Sequence, residues 1–151
     1  MSGETDLIKL YSARILELAA DIPHHGRLDA PDASVKKRAP LCGSTVTVDI
    51  ATDGETITDY AAEVKACALG QAAASVVGAH VIGCSYDQVS AARDALKSML
   101  KQDGPTPPAP FDGLEVLRPA REYKNRHASI MLTLDAIVEA MEQARAAHSC
   151  A

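Results

Sequence analysis

The sequence predicts an α+β fold in which a small three-stranded antiparallel sheet packs against several helices. Two observations carry this prediction. A stretch of alternating polar and apolar residues turns back on itself at Asp53 and Gly54, which is typical of a β-hairpin. Apolar residues recur at helical spacing before and after that hairpin. Because 151 residues suffice for one core, we treat residues 1–151 as a single domain.

The N-terminal part of the chain is predicted to form one amphipathic helix and then a loop. Between Thr5 and Ala20, apolar residues recur at helical spacing, and Thr5 or Asp6 can cap the helix. These apolar residues are Ile8, Tyr11, Ile15 and Leu18. Pro23 and Gly26 then interrupt the pattern, so a long and mobile loop is expected to run towards Cys42.

The sheet is predicted from the middle of the chain. Residues Thr45–Ile50 alternate in polarity, Asp53 and Gly54 supply the turn, and the return strand continues from Thr56 towards Val64. The third strand is expected at Ser34–Arg38.

Helices are predicted for most of the remaining chain. A helix of small side chains covers Ala72–Ile82, and Ser85 with Gln88 forms a capping box for the next helix, which ends at Asp103. Residues 104–113 contain four prolines and are interpreted as a spacer within the domain. A last helix is expected from Leu114 to about Ala147, interrupted near Pro119. Its buried side would carry Ile130, Leu134, Ile137, Val138 and Met141.

Composition excludes several classes of function. The net charge is −5, Lys and Arg are scattered, and the chain has one Phe and no Trp, which argues against a nucleic-acid partner. No apolar run approaches the roughly 20 residues of a membrane span, and no secretory signal pattern is present. We therefore expect a cytoplasmic protein whose cysteines are thiols rather than disulfides.

Three residues form the candidate site: Cys42, Cys67 and His127. Cys42 and Cys67 are 25 residues apart and lie at the two ends of the predicted hairpin, which brings them together. Cys67 also precedes a helix, whose N-terminus lowers a thiol pKa and favours a metal-binding or nucleophilic thiolate. His127, near the start of the last helix, would complete a Cys2His set for zinc or iron with one open position.

Simpler interpretations stand beside this one. A single buried cysteine is more often packing than chemistry, and we apply that interpretation to Cys84, while Cys150 lies in the C-terminal tail. A Cys-His hydrolase is disfavoured because the sequence contains neither an evident oxyanion loop nor an orienting acid.

The motifs resemble the U-type iron-sulfur cluster scaffold family, which includes IscU, SufU and the N-terminal part of NifU. Pro40, Leu41, Cys42 and Gly43 match its first motif, Cys67 and Ala68 match the second, and the stretch Pro119–Ser129 is similar to its third-cysteine segment. The long segment between Cys67 and His127 is nearest the SufU branch.

The resemblance implies a SufE/NifU-like fold and a scaffold that accepts sulfur from a cysteine desulfurase and iron to build a transient [2Fe-2S] cluster for recipient apo-proteins. SufU-like proteins instead use zinc at this site. Two departures stand out: Ser44 replaces the family aspartate, and His127 is interpreted as the replacement for the third cysteine. The sequence leaves open whether two chains form a homodimer and share ligands of the site.

The sequence leaves three possible functions to be tested. The first is the cluster scaffold or carrier, with Cys42, Cys67 and His127 as ligands and no catalytic activity of its own. The second is a zinc-dependent sulfurtransferase in which Cys67, or Cys42, accepts persulfide sulfur from the desulfurase. The third is an interaction protein that kept the fold and lost the chemistry.

Overall fold

The computed structural model describes residues 12–41 and 43–147 in full, and the backbone of residues 148–150. In chain order these are helix α1 (Ala13–Ala20), strands β1 (Ala33–Arg38), β2 (Thr45–Thr52) and β3 (Ile57–Lys65), and helices α2 (Ala68–His80) and α3 (Tyr86–Gln102). A 3-10 helix (Asp112–Glu122) and the long helix α4 (Lys124–Cys150) follow. The α+β prediction with a three-stranded antiparallel sheet is confirmed.

The sheet has the order β1-β2-β3, with both pairs antiparallel. Val48 at the centre of β2 lies opposite Val35 of β1 and Ala62 of β3. The hairpin turns where predicted: Asp53 Oδ1 accepts hydrogen bonds from the backbone N–H groups of Glu55 and Thr56, and Gly54 adopts a φ of 99°. Only glycine takes this backbone conformation without strain.

The loop after α1, which the sequence predicted to be mobile, contacts the sheet through hydrogen bonds. The carbonyl of His24 and the N–H of Gly26 bond to Ala62, so this segment adds a short bridge to the outer edge of β3. Arg27 donates two hydrogen bonds to the fully buried carboxylate of Asp49, at 2.7 and 3.1 Å. These contacts satisfy backbone groups that an open sheet edge would otherwise expose.

Helix α1, Ala13–Ala20, lies within the helix predicted for Thr5–Ala20. It starts at Ala13 because the Ser12 hydroxyl accepts a hydrogen bond from the backbone N–H of Ile15, which makes Ser12 the N-cap. The predicted helical residues Ile8 and Tyr11, and the predicted caps, lie outside the described residues. Ile15 is fully buried, as its place in the apolar pattern predicted.

The predicted helices after the hairpin exist with shifted ends. Helix α2 begins at Ala68, directly after Cys67, and its small residues pack closely against neighbours. Helix α3 has the predicted capping box: Gln88 N donates to the Ser85 hydroxyl, and Ser85 N donates to the Gln88 side chain. It ends at Asp103, which adopts a left-handed conformation with a φ of 52°.

The predicted interruption of the last helix at Pro119 is wrong in position. Pro119 lies inside the 3-10 helix, and the break falls at Tyr123, between that helix and α4. The proline-rich spacer is anchored, because Arg118 pairs with Asp103 and donates to the carbonyl of Gly104, both at 2.8 Å. The spacer therefore holds the end of α3 close to the 3-10 helix.

Helix α4 packs against the sheet, α2 and α3, and so forms the centre of the core. All five of its predicted core residues are buried, namely Ile130, Leu134, Ile137, Val138 and Met141. The first turn of this helix approaches the junction between β3 and α2, where Cys67 lies.

Candidate functional site

Cys67 occupies the N-cap position of α2, two residues after β3 ends. Its backbone is extended, with a φ of −68° and a ψ of 170°, and its side chain accepts no capping hydrogen bond in the ordinary geometry. The thiol is partly exposed. It therefore lies beside the unpaired N–H groups that begin a helix, where a negative charge is stabilised.

The surroundings of Cys67 lower its pKa below the ordinary thiol value. Burial acts in the opposite direction and would raise the pKa if it acted alone. The N–H of Gly70, the hydroxyl of Ser129, the N–H of Leu69 and the charge of Arg126 together outweigh it. The result is a thiol with more thiolate character at neutral pH than a free cysteine has.

Two buried hydroxyls extend from the sulfur into the protein. Ser129 Oγ lies 3.7 Å from Cys67 Sγ and donates a hydrogen bond of 3.1 Å to Ser44 Oγ. Both serines are at least 95% buried, with exposures of 2% for Ser129 and 5% for Ser44. Ser129 comes from α4 and Ser44 from the residue before β2, so three separate elements meet at Cys67.

Gly70 allows α4 to come this close. A Cβ atom at Gly70 would lie 2.6 Å from Ser129 Oγ and 2.9 Å from the Cβ of Ala66. Both distances are well inside van der Waals contact. The glycine therefore makes room for the hydroxyl that contacts the sulfur.

Cys67 opens into a pocket of about 270 Å³. The described residues that line it with Cys67 are Gly43, Ser44, Lys65, Ala66 and Arg126. Two cationic side chains thus border a thiol that is accompanied by hydroxyls rather than by carboxylates. Such an environment attracts anions and stabilises a negatively charged sulfur.

His127 is not in this pocket. Its ring is 4% exposed, and its Nε2 lies 3.1 Å from the carbonyl oxygens of both Ala120 and Arg121, so that nitrogen carries a proton and donates. His127 lines a separate cleft between α3 and α4. Residues 127 and 129 project about 200° apart on a helix, so one of them faces Cys67 and the other faces away. The structure brings Ser129, not His127, to the thiol.

Cys42, the other predicted thiol ligand, lies outside the described residues. Its described neighbours are Leu41, which is 82% exposed, and Gly43, which lines the Cys67 pocket. Among the described residues, no group of three or more His, Cys, Asp or Glu side chains gathers as a metal site would require. The described lining of the pocket therefore does not make a zinc site on its own.

The remaining cysteines agree with the simpler interpretation where the structure describes them. Cys84 is 4% exposed, and its thiol donates to the carbonyl of His80 at 3.2 Å. It is a packed core residue. The side chain of Cys150 lies outside the described residues.

Sequence reasoning missed Lys65 and Arg126, which line the pocket, and Ser129, which contacts the sulfur of Cys67. Lys65 is the last residue of β3, two positions before Cys67, and that spacing was visible in the sequence. Ser129 follows His127 by two residues, but from Ser129 to Leu134 every residue of α4 is buried. An apolar pattern that surrounds a helix does not show which side faces a given neighbour.

None of the helices in the described part of the chain is both long and apolar enough to span a membrane. A larger cavity of about 620 Å³ lies beside the 3-10 helix, and its described lining, which includes Val116, Pro119 and Tyr123, contains no cysteine. The chemistry-bearing residues are therefore at the smaller pocket.

Comparison with known proteins finds relatives of this chain by sequence. The sequence model of the NifU-like N terminal domain matches residues 10–142. The chain is 26% identical over 140 residues to an iron-sulfur cluster assembly scaffold protein IscU from Streptococcus pyogenes serotype M1, covering 92% of this chain and 87% of that protein.

Two solved structures share the fold. The N-terminal part of a nitrogen-fixing NifU-like protein from Brucella abortus is 45% identical, with a TM-score of 0.91, covering 93% of this chain and 98% of that one. An iron-sulfur cluster assembly scaffold protein described for the SUF system of Fervidobacterium islandicum AW-1 is 20% identical, with a TM-score of 0.78. The alignment covers 89% of this chain and 98% of that one, and at this identity it supports the fold alone.

Proposed function

Because this chain belongs to the NifU-like N-terminal domain family, we propose that it is a scaffold or carrier in iron-sulfur cluster assembly. Its cargo is sulfur and iron, held as a [2Fe-2S] cluster for transfer. One observation carries the proposal: Cys67 is a partly exposed thiol of lowered pKa at the start of α2, and it opens into a pocket. Thiolates are the ligands that bridged iron and sulfide require.

Cys42 and Cys67 are the proposed cluster ligands from this chain. His127 is left out of the ligand set, because its ring bonds to Ala120 and Arg121 and lines a different cleft. Ser44 and Ser129 supply hydroxyls beside the sulfur instead of further soft ligands. A site with only two thiolates holds iron weakly, which suits a cluster that must be passed on. The proposed partners are a cysteine desulfurase and recipient apo-proteins.

Anaerobic reconstitution tests this function. Purified protein incubated with ferrous iron and a sulfide source should develop the visible absorption of a cluster. Cys67→Ser and Cys42→Ser should each abolish that absorption, whereas Cys84→Ala, the matched change of a core thiol, should keep it. The proposal fails if no chromophore forms, or if the Cys84 variant loses it as completely as the other two.

A second function is favoured by the charges around Cys67. Lys65 and Arg126 border the pocket, and two N–H groups with one hydroxyl contribute to the lowered pKa of the thiol. These groups suit a sulfur anion better than a dication. In this alternative, Cys67 is the acceptor of persulfide sulfur from a desulfurase.

The transfer step would be a thiol-disulfide exchange. The Cys67 thiolate attacks the terminal sulfur of the desulfurase persulfide, a new sulfur-sulfur bond forms, and the desulfurase thiolate leaves. No other oxidant or reductant is needed. Lys65 and Arg126 would balance the charge of the persulfide that Cys67 then carries.

Mass spectrometry separates the two functions. After incubation with a desulfurase and free cysteine but no iron, a sulfur acceptor gains the mass of one sulfur atom on the peptide that contains Cys67. A scaffold that takes up sulfur only together with iron gains none. If neither a cluster nor a sulfur adduct forms, the protein has kept the fold for interaction alone.

A further inference from the structure

A second, charged cleft lies between α3 and the first turns of α4. It measures about 530 Å³ and carries four cationic side chains, from Arg93, Lys97, Lys101 and Lys124. Two carboxylates, from Asp94 and Asp135, also line it. The cleft is therefore cationic on balance, although the whole chain has a net charge of −5.

Most of the cationic groups in this cleft form no close ion pair with the described residues, although Arg93 and Lys97 lie near enough to Asp135 for their charges to act on its carboxylate. Arg93 pairs with the adjacent Asp94 at 3.4 Å. Within the part of the chain that the structure describes, Lys97, Lys101 and Lys124 form no ion pair and no side-chain hydrogen bond. Like charges this close repel one another, and a bound anion would relieve that repulsion.

His127 adds an unpartnered polar atom to the wall of the cleft. Its Nε2 is held by the carbonyls of Ala120 and Arg121, which fixes the ring. Its Nδ1 is buried and has no hydrogen-bond partner among the described residues. With the proton on Nε2, Nδ1 is an acceptor, and leaving a buried acceptor without a partner is costly. A backbone N–H of a peptide in the cleft would supply the donor after a small movement of the lining side chains.

We propose that this cleft is the docking site for an acidic segment of a partner protein. The positions of the lysines favour a peptide over a small anion. Arg93, Lys97 and Lys101 follow one another at four-residue spacing on α3, so their row extends for about 12 Å along the helix. A row of this length matches several successive carboxylates and is longer than a single phosphate.

The mixed charge of the lining also favours a peptide over a nucleic acid or a lipid surface. Asp94 and Asp135 would repel a continuous phosphate backbone, but they can pair with a Lys or Arg within a mainly acidic segment. Among the described residues no Phe, Tyr or Trp lines the cleft, and the His127 ring is only 4% exposed, so bases have little surface for stacking.

The cleft lies next to the Cys67 pocket. Arg126 lines the pocket, and its neighbours Lys124 and His127 line the cleft, so the first turn of α4 separates the two. A protein that docks an acidic segment here is held beside the thiol. The inference goes beyond the proposed function and does not depend on it, since docking requires neither iron nor sulfur.

The test uses reduced, metal-free protein and a fluorescein-labelled peptide of alternating Asp and Glu, followed by fluorescence anisotropy at low salt. The wild-type chain should bind the peptide, and Lys97→Gln with Lys101→Gln should weaken binding by at least about tenfold. The matched control, Lys36→Gln with Arg38→Gln, removes the same charge from the exposed face of β1 and should stay within about twofold.

Two further measurements complete the test. Long-range nitrogen spectra of the histidines should show the His127 Nδ1 signal moving when the peptide is added. Inorganic phosphate, a single-stranded RNA oligomer and anionic vesicles serve as competitors. The inference is overturned if the peptide does not bind, if the control loses as much affinity, if His127 does not respond, or if any competitor binds more tightly. Failure here leaves the reconstitution result untouched, so the two ideas are judged separately.

Discussion

Ser129 Oγ lies 3.7 Å from Cys67 Sγ and has a single proton to donate. While Cys67 is a thiol, that proton bonds to Ser44 Oγ, 3.1 Å away. When the sulfur becomes a thiolate, or carries a charged sulfur atom, the same proton can turn towards it. The pair therefore stabilises the negative form of the sulfur without adding a charge of its own.

Ser129→Ala should raise the pKa of Cys67, because it removes one of the groups that lower it and leaves the effect of burial in place. The pH profile of Cys67 alkylation by iodoacetamide should move to higher pH. At pH 7 the rate should fall by about threefold, since less thiolate is present. Peptide mass spectrometry assigns the reaction to Cys67 rather than Cys42.

Ser90→Ala is the matched control for this change. Ser90 lies on α3, is partly buried, and its hydroxyl forms no hydrogen bond with the described residues. In the Ser90→Ala variant, the pH profile of Cys67 alkylation should coincide with that of the native chain. An unchanged profile in the Ser129 variant would show that the 3.7 Å contact does not act on the sulfur.

Gly70→Ala should lower the stability of the fold, although alanine is usually the better residue within a helix. The new Cβ would lie 2.6 Å from Ser129 Oγ and 3.1 Å from the Ser129 carbonyl oxygen, so α4 must shift. We expect a loss of about 1–3 kcal/mol in the free energy of unfolding, measured by urea denaturation.

A double variant separates the causes of that loss. Combining Gly70→Ala with Ser129→Ala removes the shortest contact, and part of the lost stability should return. If the two losses simply add, the glycine is not there for the hydroxyl. The Cys67 alkylation profile of the single Gly70 variant should also move to higher pH, as in Ser129→Ala.

The sheet and most helices could be predicted because their signals are local. The Asp53 turn, the Ser85 capping box and the apolar positions of α4 each depend on residues a few positions apart. The sequence placed the helix break near Pro119, whereas the structure has it at Tyr123. Pro119 lies within a 3-10 helix, and Arg118 of that helix contacts Asp103 from a distant part of the chain, which no local pattern shows.

The described part of the site differs from the sequence prediction in a single rotational choice. The sequence indicated that the start of the last helix approaches Cys67, which the Ser129 contact bears out. It favoured His127 because imidazole is a metal ligand and a hydroxyl is not. Which of two nearby residues faces the thiol depends on the packing of α4 against α2, and that is set by Gly70 and the core rather than by local pattern.

Asp49→Asn should destabilise the protein near neutral pH. Burial alone would raise the pKa of Asp49, but hydrogen bonds from Arg27, Ser34 and the N–H of Leu28, with the Arg27 charge, lower it overall. Because the pKa of Asp49 is lower in the folded state than in the unfolded chain, its ionised carboxylate stabilises the fold at every pH above the ordinary Asp pKa. This stabilisation is lost as the pH falls through the lowered folded-state pKa. At pH 7 we expect a loss of about 2 kcal/mol in urea denaturation.

The difference between native and Asp49→Asn protein should be constant from pH 7 to about pH 5 and should shrink under more acidic conditions. Asp59→Asn, a change at an exposed carboxylate on β3, is the control and should alter stability little at any pH. A difference that grows as the pH falls would contradict this assignment of sign.

Ser44→Asp together with Ser129→Cys should convert the pocket into a metal site. The change adds a carboxylate and a thiolate beside Cys67, in place of two hydroxyls that are poor ligands for zinc. The metal-free variant should be less stable than the native chain, because the new carboxylate is buried at a position with 5% exposure. Zinc should restore that stability and bind at least about a hundredfold more tightly than to the native chain, since ligand number governs affinity. Titration against a chromophoric chelator measures the affinity, and thermal unfolding with and without zinc measures the stability.

Adding Cys67→Ala to the variant should remove most of the gain in zinc affinity. If the gain persists without Cys67, the new ligands bind zinc elsewhere, and the three residues do not converge on one position as the distances require.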